Sequence, residues 1–566
     1  FLFLIFYVMY YDNSYPYCEH TETQLLEFLE DEVLKFAELS THEFLSLGCA
    51  GTFKYLGFFP KHKYSVFSGR ENTDYYVRQA LKLYDFVYFK KLYGYTRKPK
   101  LGCAFSRFLH FARPVHTKEK GFKSGFSPEE QEWLNICYEN AQSACGKYLF
   151  GNKINDGFKT LNSFSDAVDA LPSNTSAGFS FPGKKKGEVK NQARLKAQMM
   201  NHLISNDLGC TKVPSTMAVR GHLSPQHENK SRTVIIYPYE IQILEAYHFK
   251  PLYQQMKRVS PIISGDQSLQ RLHSYLNKHT NYAFINTDIS GWDRMRAIFL
   301  IRDAFKVFRD YMDFTPREKK VVKWLENYMI DTPIMLPSGD LIRKKGGIPS
   351  GTFLTLLINS ACNFIAQHTI LNYLNVPYYD LSVLGDDCAF YLSDENYYYQ
   401  YFSLICDLNM HVFNLRMNKE KSICTTNISE RKFIGYQFNG LELFRETDEF
   451  FKSALYPESD VKNVAVSFSR MFSYLCIGGI NDTKFFNFFE FFCTSYQDSL
   501  RLFNRELFKE KVFRFGSLRI FKDILNFNLD EIINLNFDDF LELDWYAIRW
   551  MFSLNVSIRK RDFQYY

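Results

Sequence analysis

The sequence predicts an α+β chain in which an antiparallel sheet is flanked by helices, and three observations predict it. Two short apolar stretches, YAFINTD (282–288) and LSVLGDDCAFYLS (381–393), each run into aspartate. A long, mostly apolar segment, FLTLLINSACNFIAQHTILNYL (353–374), stands just before the second of them. Elsewhere leucine and phenylalanine recur at the spacing of amphipathic helices.

Composition bounds the rest. At 566 residues the chain exceeds one ordinary domain, and at 46% hydrophobic it can bury a sizeable core, which excludes global disorder. The net charge of +6 is mild, so it permits a polyanionic partner without requiring one. The aromatic share of 17% is mostly a bias of composition; a minority of these rings could act as stacking platforms for bases. The 12 cysteines are scattered singly from Cys18 to Cys493 with no C-x-x-C pair, so free thiols in a reducing compartment are expected. The opening run FLFLIFYVMYY is too short to span a membrane and lacks the basic flank and cleavage site of a signal peptide. Met9 is a candidate start, which would leave residues 1–8 outside the native protein. No other stretch approaches membrane length, and no membrane span is expected.

In chain order, residues 19–50 and 127–150 carry helical spacing. Residues 171–190, LPSNTSAGFSFPGKKKGEVK, break all periodicity and read as a loop with a basic tip. RTVIIY (232–237) reads as a strand stopped by Pro238, and EIQILEAYHFKPLYQQM as the helix after it. Residues 282–288 form a second strand. Residues 296–330 are amphipathic helices, one opening with Pro316 in its first turn. GGIPSG leads into the helix 353–374, and a hairpin turning at Gly385 follows. Beyond residue 440 the chain is helical and aromatic, without a chemical motif. There is no internal repeat or low-complexity tract.

The acids carry the chemistry. Asp386 and Asp387 stand together at a hairpin tip, where a plain solvent-facing turn is the ordinary explanation. A second pair lies in FINTDISGWDR: Asp288 ends its strand, and Asp293 follows past a bend at Gly291. If the two strands are neighbours in one sheet, a strand-end and a hairpin-tip carboxylate meet. Mg²⁺ needs that much from a protein: one or two carboxylates, with waters and phosphates completing its shell. In GGIPSGTFLTLLINS, Ser350 and Gly351 precede a helix on which Thr355 and Asn359 share a face. In HENKSRTVIIYP, Lys230 and Arg232 alternate on an extended segment and share a side, suited to phosphate.

Taken in order, basic strand, DxxxxD, SGxxxTxxxN, GDD and a lysine in NKEKS, the sequence resembles the palm of viral RNA-dependent RNA polymerases from about residue 171 to residue 440. Within that class, NTSAGFSFP with KKKGEV, RTVIIYP, GGIPSGTFLT and ALYPE most resemble the partitivirus group of double-stranded RNA viruses, with picobirnaviruses next. Two positions depart from the pattern. Asn359 stands where partitivirus-type sequences often carry Asp, and Leu384 precedes Gly385 where many families have Tyr.

The resemblance implies a right-hand polymerase of fingers, palm and thumb, closed by fingers–thumb contacts. The implied division is residues 1–248 as fingers with an N-terminal bridge to the thumb, 249–298 and 346–439 as palm, 299–345 as a fingers insertion and 440–566 as thumb. Asp288 and Asp386 would be the principal metal ligands, with Asp387 supporting, for two Mg²⁺ ions that Mn²⁺ could replace. Asp293 and Asn359 would sense the ribose 2′-hydroxyl. Ser350 and Gly351 would form a moving loop beside the template and nascent pair, braced by Thr355. Lys230 and Arg232 would hold the triphosphate, with Arg220 a weaker candidate. Lys421, in a polar turn able to swing toward the site, would protonate the pyrophosphate leaving group. Thr175, Ser176, Gly178, Lys184, Lys185 and Lys186 would line the template entrance, and FIGYQF (433–438) would form a hairpin supporting the primer end. The partners implied are RNA template and product, ribonucleoside triphosphates and a viral capsid protein. The location implied is the host cytoplasm, inside the virion.

Two other classes compete. A reverse transcriptase shares the palm and paired aspartates but typically carries a bulky aromatic where Asp293 stands. A non-catalytic RNA-binding or packaging protein accounts for the basic loops and leaves the converging acids unexplained.

Overall fold

The computed structural model describes residues 53–58, 73–97, 125–152, 156–228, 231–259, 268–294, 297–336, 339–344, 346–393, 398–440, 443–458 and 460–501. The N-terminal apolar run with Met9, the helical pattern at 19–50 and the end of the expected thumb, 502–566, lie outside these residues.

β1 (Phe53–Phe58) precedes two helices, α1 (Tyr75–Tyr84) and α2 (Phe86–Leu92). Next comes α3 (Pro128–Phe150), opened by a capping box of Ser127 and Glu130 with Pro128 in its first turn, where a missing N–H is harmless. α4 (Phe164–Asp169) and an irregular stretch lead to α5 (Lys190–Ser205), β2 (Ser215–Gly221) and β3 (Ser231–Ile236). α6 (Tyr239–Val259), α7 (Ser268–Leu276) and β4 (Ala283–Thr287) follow. α8 (Ile298–Tyr311) is succeeded by α9 (Pro316–Ile330), which Thr315 and Glu318 cap as a second box. β5 (Pro333–Met335) and β6 (Asp340–Lys344) lead to α10 (Thr355–Tyr373). Then come β7 (Tyr378–Leu384), β8 (Asp387–Leu392), α11 (Tyr398–Phe413) and β9 (Ile423–Thr425). Three short strands, β10 (Lys432–Phe433), β11 (Tyr436–Phe438) and β12 (Leu443–Phe444), precede α12 (Thr447–Leu455), α13 (Val464–Tyr474) and α14 (Thr483–Ser495).

The sheet that matters for function runs β9-β4-β8-β7, antiparallel throughout. β4 and β8 are central and buried along most of their length, as apolar runs without polar alternation require. Helices α3, α8 and α10 pack together, with α10 against β7. α10 is apolar nearly all round and accordingly buried nearly all round. Tyr148 of α3 stacks on Phe364 of α10, and its hydroxyl accepts from Val383 N at 2.9 Å, so α3 is locked to the sheet. Residues 127–150, expected among the fingers, therefore lie against the helix that backs the GDD hairpin.

A second sheet runs β1-β6-β5-β2-β3, antiparallel except for the parallel pair β2–β5. β10, β11 and β12 form a third, so the 433–438 segment is a hairpin, as the family resemblance implies.

The C-terminal helices form an aromatic cluster of their own, and α1 and α2 belong to it: Leu81, Phe89 and Leu92 are buried with Phe451, Phe468 and Phe488. Asp74, the N-cap of α1, pairs with Arg470 of α13 at 2.6 Å in a buried ion pair that also takes Ser467 Oγ–H at 2.8 Å. The N-terminal segment thus contributes β1 to the edge of the second sheet and α1–α2 to the C-terminal cluster. Arg97 donates to Tyr456 O at 2.6 Å, and Arg220 of β2 meets Glu458 at 2.6 Å. Among the described residues no helix is long and apolar enough to cross a membrane.

Candidate active site

The turn that joins β7 to β8 is two residues long: Asp387 pairs with Leu384, leaving Gly385 and Asp386 at the tip. Gly385 sits at φ +67°, the left-handed conformation that the first position of such a turn demands. α10 holds this turn from beneath. Ser360 Oγ accepts from Gly385 N at 2.9 Å, and Asn363 Nδ2 donates to Gly385 O at 3.1 Å and Asp386 O at 2.9 Å. Sequence reading stopped at Thr355 and Asn359 and missed these two. The available signal was Asn363, a further helical step along the same face of an otherwise apolar helix.

Asp386 is exposed and Asp387 half-buried. Cys388 pairs with Thr287 across β8 and β4, so one step further Asp387 stands across from Asp288 at the exposed end of β4. Burial first, then the negative charges of Asp386 and Asp288, push the Asp387 carboxyl up to about 7. Asp387 therefore feels both of the other carboxylates, and a divalent cation is what would relieve that repulsion. Among the described residues no group of three or more His, Cys, Asp or Glu is arranged as a preformed ion cage. Mg²⁺ does not need one, because it draws most of its ligands from water and phosphate.

The NKEKS turn differs from its sequence expectation of a turn free to swing. Asp288 N donates to Ser422 Oγ at 3.0 Å, Asn418 N donates to Asp288 O at 2.8 Å, and Ser290 N donates to Arg416 O at 2.8 Å. The chain just beyond β4 needs partners for its backbone groups, and residues 416–422 supply them. Lys421 is therefore carried beside Asp288, its own N–H donating to Asn418 Oδ1 at 3.2 Å. Lys419 pairs instead with Asp407 at 4.0 Å.

Asp293 lies in a short 3₁₀ turn, Trp292–Arg294, and its carbonyl accepts from Ile348 N at 3.1 Å, which ties it to the loop before α10. In that loop Thr355 Oγ1 donates to Pro349 O at 2.9 Å and Thr352 O at 3.0 Å. Ser350 is exposed, while Gly351 bridges Ile236 of β3, and a Cβ on it would lie 2.2 Å from Ile235 O. Gly351→Ala should therefore displace the loop and lower stability by about 1–3 kcal/mol, the usual cost of overpacking. A melting temperature equal to wild type would contradict that reading. Asn359 is buried, at 6% exposure, and its Oδ1 has no partner in the protein. A buried orphan acceptor is costly, and a ligand hydroxyl would satisfy it.

Arg232 lies on β3, directly opposite Arg220 of β2 in the backbone register. Lys230 lies outside the described residues. Arg220 is engaged with Glu458, which weakens it further as a triphosphate ligand. In the 171–190 loop, Thr175 and Ser176 are exposed, Ser176 bridges Lys185, and Gly178 at φ +79° packs against Tyr237 O. The three consecutive lysines divide. Lys184 and Lys185 are exposed, whereas a short 3₁₀ turn from Lys186 to Glu188 rotates Lys186 inward, where it is 4% exposed. Its Nζ donates to Gln242 Oε1 at 2.6 Å and lies over the Tyr239 ring; burial pulls its pKa down to about 8. The basic tip is thus two lysines rather than three.

A family model described as viral RNA-dependent RNA polymerase matches residues 127–492. The chain is 30% identical over 280 residues to the RNA-directed RNA polymerase of Cryptosporidium parvum virus 1 (strain KSU-1), covering 46% of this chain and 50% of that protein. It is 29% identical over 191 residues to non-structural polyprotein 1AB of human astrovirus-5, covering 32% of this chain and 13% of the polyprotein. It thus spans half the length of the first relative and a small part of the second. Among solved structures it is similar to the RNA-dependent RNA polymerase of a human picobirnavirus, with a TM-score of 0.55 and 14% identity over 81% of this chain and 92% of that one. The insertion-loop deletion mutant of a human picobirnavirus polymerase gives a TM-score of 0.52 at 14% identity, over 75% of this chain and 81% of the other. At such identity the likeness speaks for the fold alone, the right hand. The family model covers well over half of the 566 residues, and on that match the chain belongs to the family of viral RNA-dependent RNA polymerases.

Proposed function

We propose that this chain is an RNA-directed RNA polymerase that copies a viral RNA template, in replication and transcription, by nucleotidyl transfer at Asp288, Asp386 and Asp387. The observation that carries this reading is the meeting of three carboxylates where β4 ends and the β7–β8 hairpin turns, with Asp387 pushed up by burial and then by the other two. Asp288 and Asp386, supported by Asp387, would hold two Mg²⁺ or Mn²⁺ ions. When bound, these supply an acidified nucleophile and charge stabilisation of the transferred phosphoryl group.

The protein's own groups do the rest. Asp293 and Asn359 read the 2′-hydroxyl. The Ser350–Gly351 loop lies beside the template and nascent pair, with Thr355 as its brace. Lys230 and Arg232 hold the triphosphate. Lys421 gives a proton to the pyrophosphate as it leaves. Thr175, Ser176, Gly178, Lys184 and Lys185 line the template entrance, with Lys186 supporting it from beneath. The division into fingers (1–248 and 299–345), palm (249–298 and 346–439) and thumb (440–566) goes with this reading. So does closure of the hand by the N-terminal segment, which the seating of α1 and α2 among the C-terminal helices supports. Replication inside a virion in the host cytoplasm, against a capsid protein, is the biological setting we attach to it.

A defined single-stranded RNA, Mg²⁺ and labelled ribonucleotides test the proposal. Full-length complementary RNA is expected without a primer. Failure to extend any RNA, primed or not, in Mg²⁺ or Mn²⁺ would refute it. Preference for deoxyribonucleotides would make the chain a reverse transcriptase, and RNA binding without synthesis a packaging protein.

Sugar choice provides a finer test. Asn359→Ala should lower the preference for ribonucleotides over deoxyribonucleotides by about 5-fold to 150-fold, the range for one lost hydrogen bond of about 1–3 kcal/mol. Incorporation of the two sugars on one template is the measurement. An unchanged ratio would make Asn359 an ordinary core residue.

A further inference from the structure

The loop carrying Ser350 and Gly351 is held at both ends by buried charged side chains that no polymerase motif in the sequence singles out. At its entrance, Lys344 is 2% exposed, and its Nζ donates to Met329 O at 2.7 Å, Gly346 O at 2.8 Å and Gly347 O at 3.1 Å. At its exit, Glu245 of α6 is also 2% exposed. Its Oε2 accepts from Phe353 N at 2.8 Å, and its carboxyl also takes the Thr352 hydroxyl. Thr352 Oγ1 in turn accepts from Leu354 N at 2.8 Å, which orients that hydroxyl's proton toward Glu245. Two donors thus converge on one carboxyl in a dry interior, where the low dielectric strengthens hydrogen bonds.

A buried carboxylate needs compensating charge. Burial pushes the Glu245 carboxyl up to about 8, and the Phe353 N–H, the Thr352 hydroxyl and then the charge of Lys186 oppose that push. Lys186 is anchored on Gln242, about one turn before Glu245 on α6, and Gln242 Nε2 holds Tyr237 O at 2.9 Å. The backbone of Lys186 donates to Thr175 O at 2.9 Å, and Tyr239 N donates to Ala177 O at 3.1 Å. The Lys186 cation, held on Gln242 about one turn before Glu245, is therefore part of the same loop that presents Thr175, Ser176, Lys184 and Lys185.

We infer that Glu245 is a positioning residue for nucleotide addition: it fixes the exit of the Ser350–Gly351 loop, and Lys186 couples that anchor to the 171–190 loop. The inference rests on the polymerase reading for its effect on rate but not for its effect on the loops. A template strand that shifts the 171–190 loop also shifts the cation that stabilises the Glu245 carboxylate. The grip on Phe353 and Thr352 then tightens or slackens, and with it the placement of Ser350 against the nascent pair.

Two measurements on the full chain test this. The first is single-turnover nucleotide addition on a primed RNA at varied nucleotide concentration. Glu245→Gln replaces one of the two carboxyl oxygens by an N–H₂ that cannot accept and removes the ionisable group. It should lower the maximal rate roughly 10-fold to 100-fold with little change in the concentration for half-maximal rate. Thr352→Val should reproduce that split and Thr352→Ser should restore the rate. Lys186→Met should slow addition, and adding Glu245→Gln to it should cost much less than in the wild-type background. The second measurement is amide hydrogen exchange without substrate, which needs no activity. Glu245→Gln and Thr352→Val should speed exchange at 350–354, and Glu245→Gln and Lys186→Met should each speed it at both 350–354 and 175–186. A wild-type chain that makes no RNA would defeat the polymerase reading and leave the exchange result to decide the loop coupling. Unchanged exchange at 350–354 in Glu245→Gln would overturn the inference. So would exchange changes confined to one loop, or a rate loss in Glu245→Gln that vanishes when corrected for the folded fraction.

Discussion

Asp386→Asn is expected to lower RNA synthesis by at least about three orders of magnitude while leaving RNA binding near wild type. The substitution is nearly isosteric, and the turn that presents residue 386 is held by its backbone: Ser360 takes Gly385 N, and Asn363 takes the carbonyls of Gly385 and Asp386. None of those bonds uses the Asp386 carboxylate, so the hairpin should survive. What is lost is one negative charge at a site asked to hold divalent ions against a polyanion, worth several kcal/mol of transition-state stabilisation. On the proposed function, RNA affinity would rest on the exposed lysines of the 171–190 loop and should persist. Product formed per enzyme, measured beside the anisotropy of a labelled RNA, separates the two. Synthesis near wild type would remove Asp386 from the metal site.

Lys421→Leu is expected to slow nucleotide addition about 10²–10⁴-fold, the usual contribution of a positioned general acid. Lys421 is exposed, but its loop is bonded to Asp288 through Ser422 and Asn418, so its backbone is carried beside the carboxylates rather than left to drift. Lys419 provides the control. It is two residues away, equally basic, and faces Asp407 instead. Single-turnover addition across pH should show a large loss for Lys421→Leu, with the decline at high pH flattened, and little change for Lys419→Leu. Equal effects from the two, or none from Lys421, would make the stretch an ordinary solvated loop.

Much of the fold was legible before the structure because its signals are local. Pro128 and Pro316 sit in first turns, Ser127 and Thr315 cap with a Glu three residues on, and the apolar run after GGIPSG became α10. The strand 283–287 lies within a residue of the expected 282–288. The GDD turn was readable for the same reason: only a glycine at its first position takes φ +67° without strain. In each case the determinants are neighbours within about one helical turn or one strand step.

Local patterns in the chain carry the order of the elements, the turn at Gly385, the face shared by Thr355 and Asn359, and the acids that close their strands. What those groups meet comes from long-range packing. Asp74 finds Arg470 across 396 positions, Asp288 finds Ser422 across 134, and Lys186 finds Gln242 across 56. The run KKKG gives no local reason for its third lysine to turn inward. That outcome depends on α6 arriving with an amide and a carboxyl on its buried side, where an unpaired charge would be untenable and a paired one is held. Likewise Ser360 and Asn363 read as two more polar residues on a helix until β7 and β8 place a turn's backbone groups against them. Buried polar groups must be satisfied by whatever the fold brings near, and chain neighbours do not reveal which distant segment that will be.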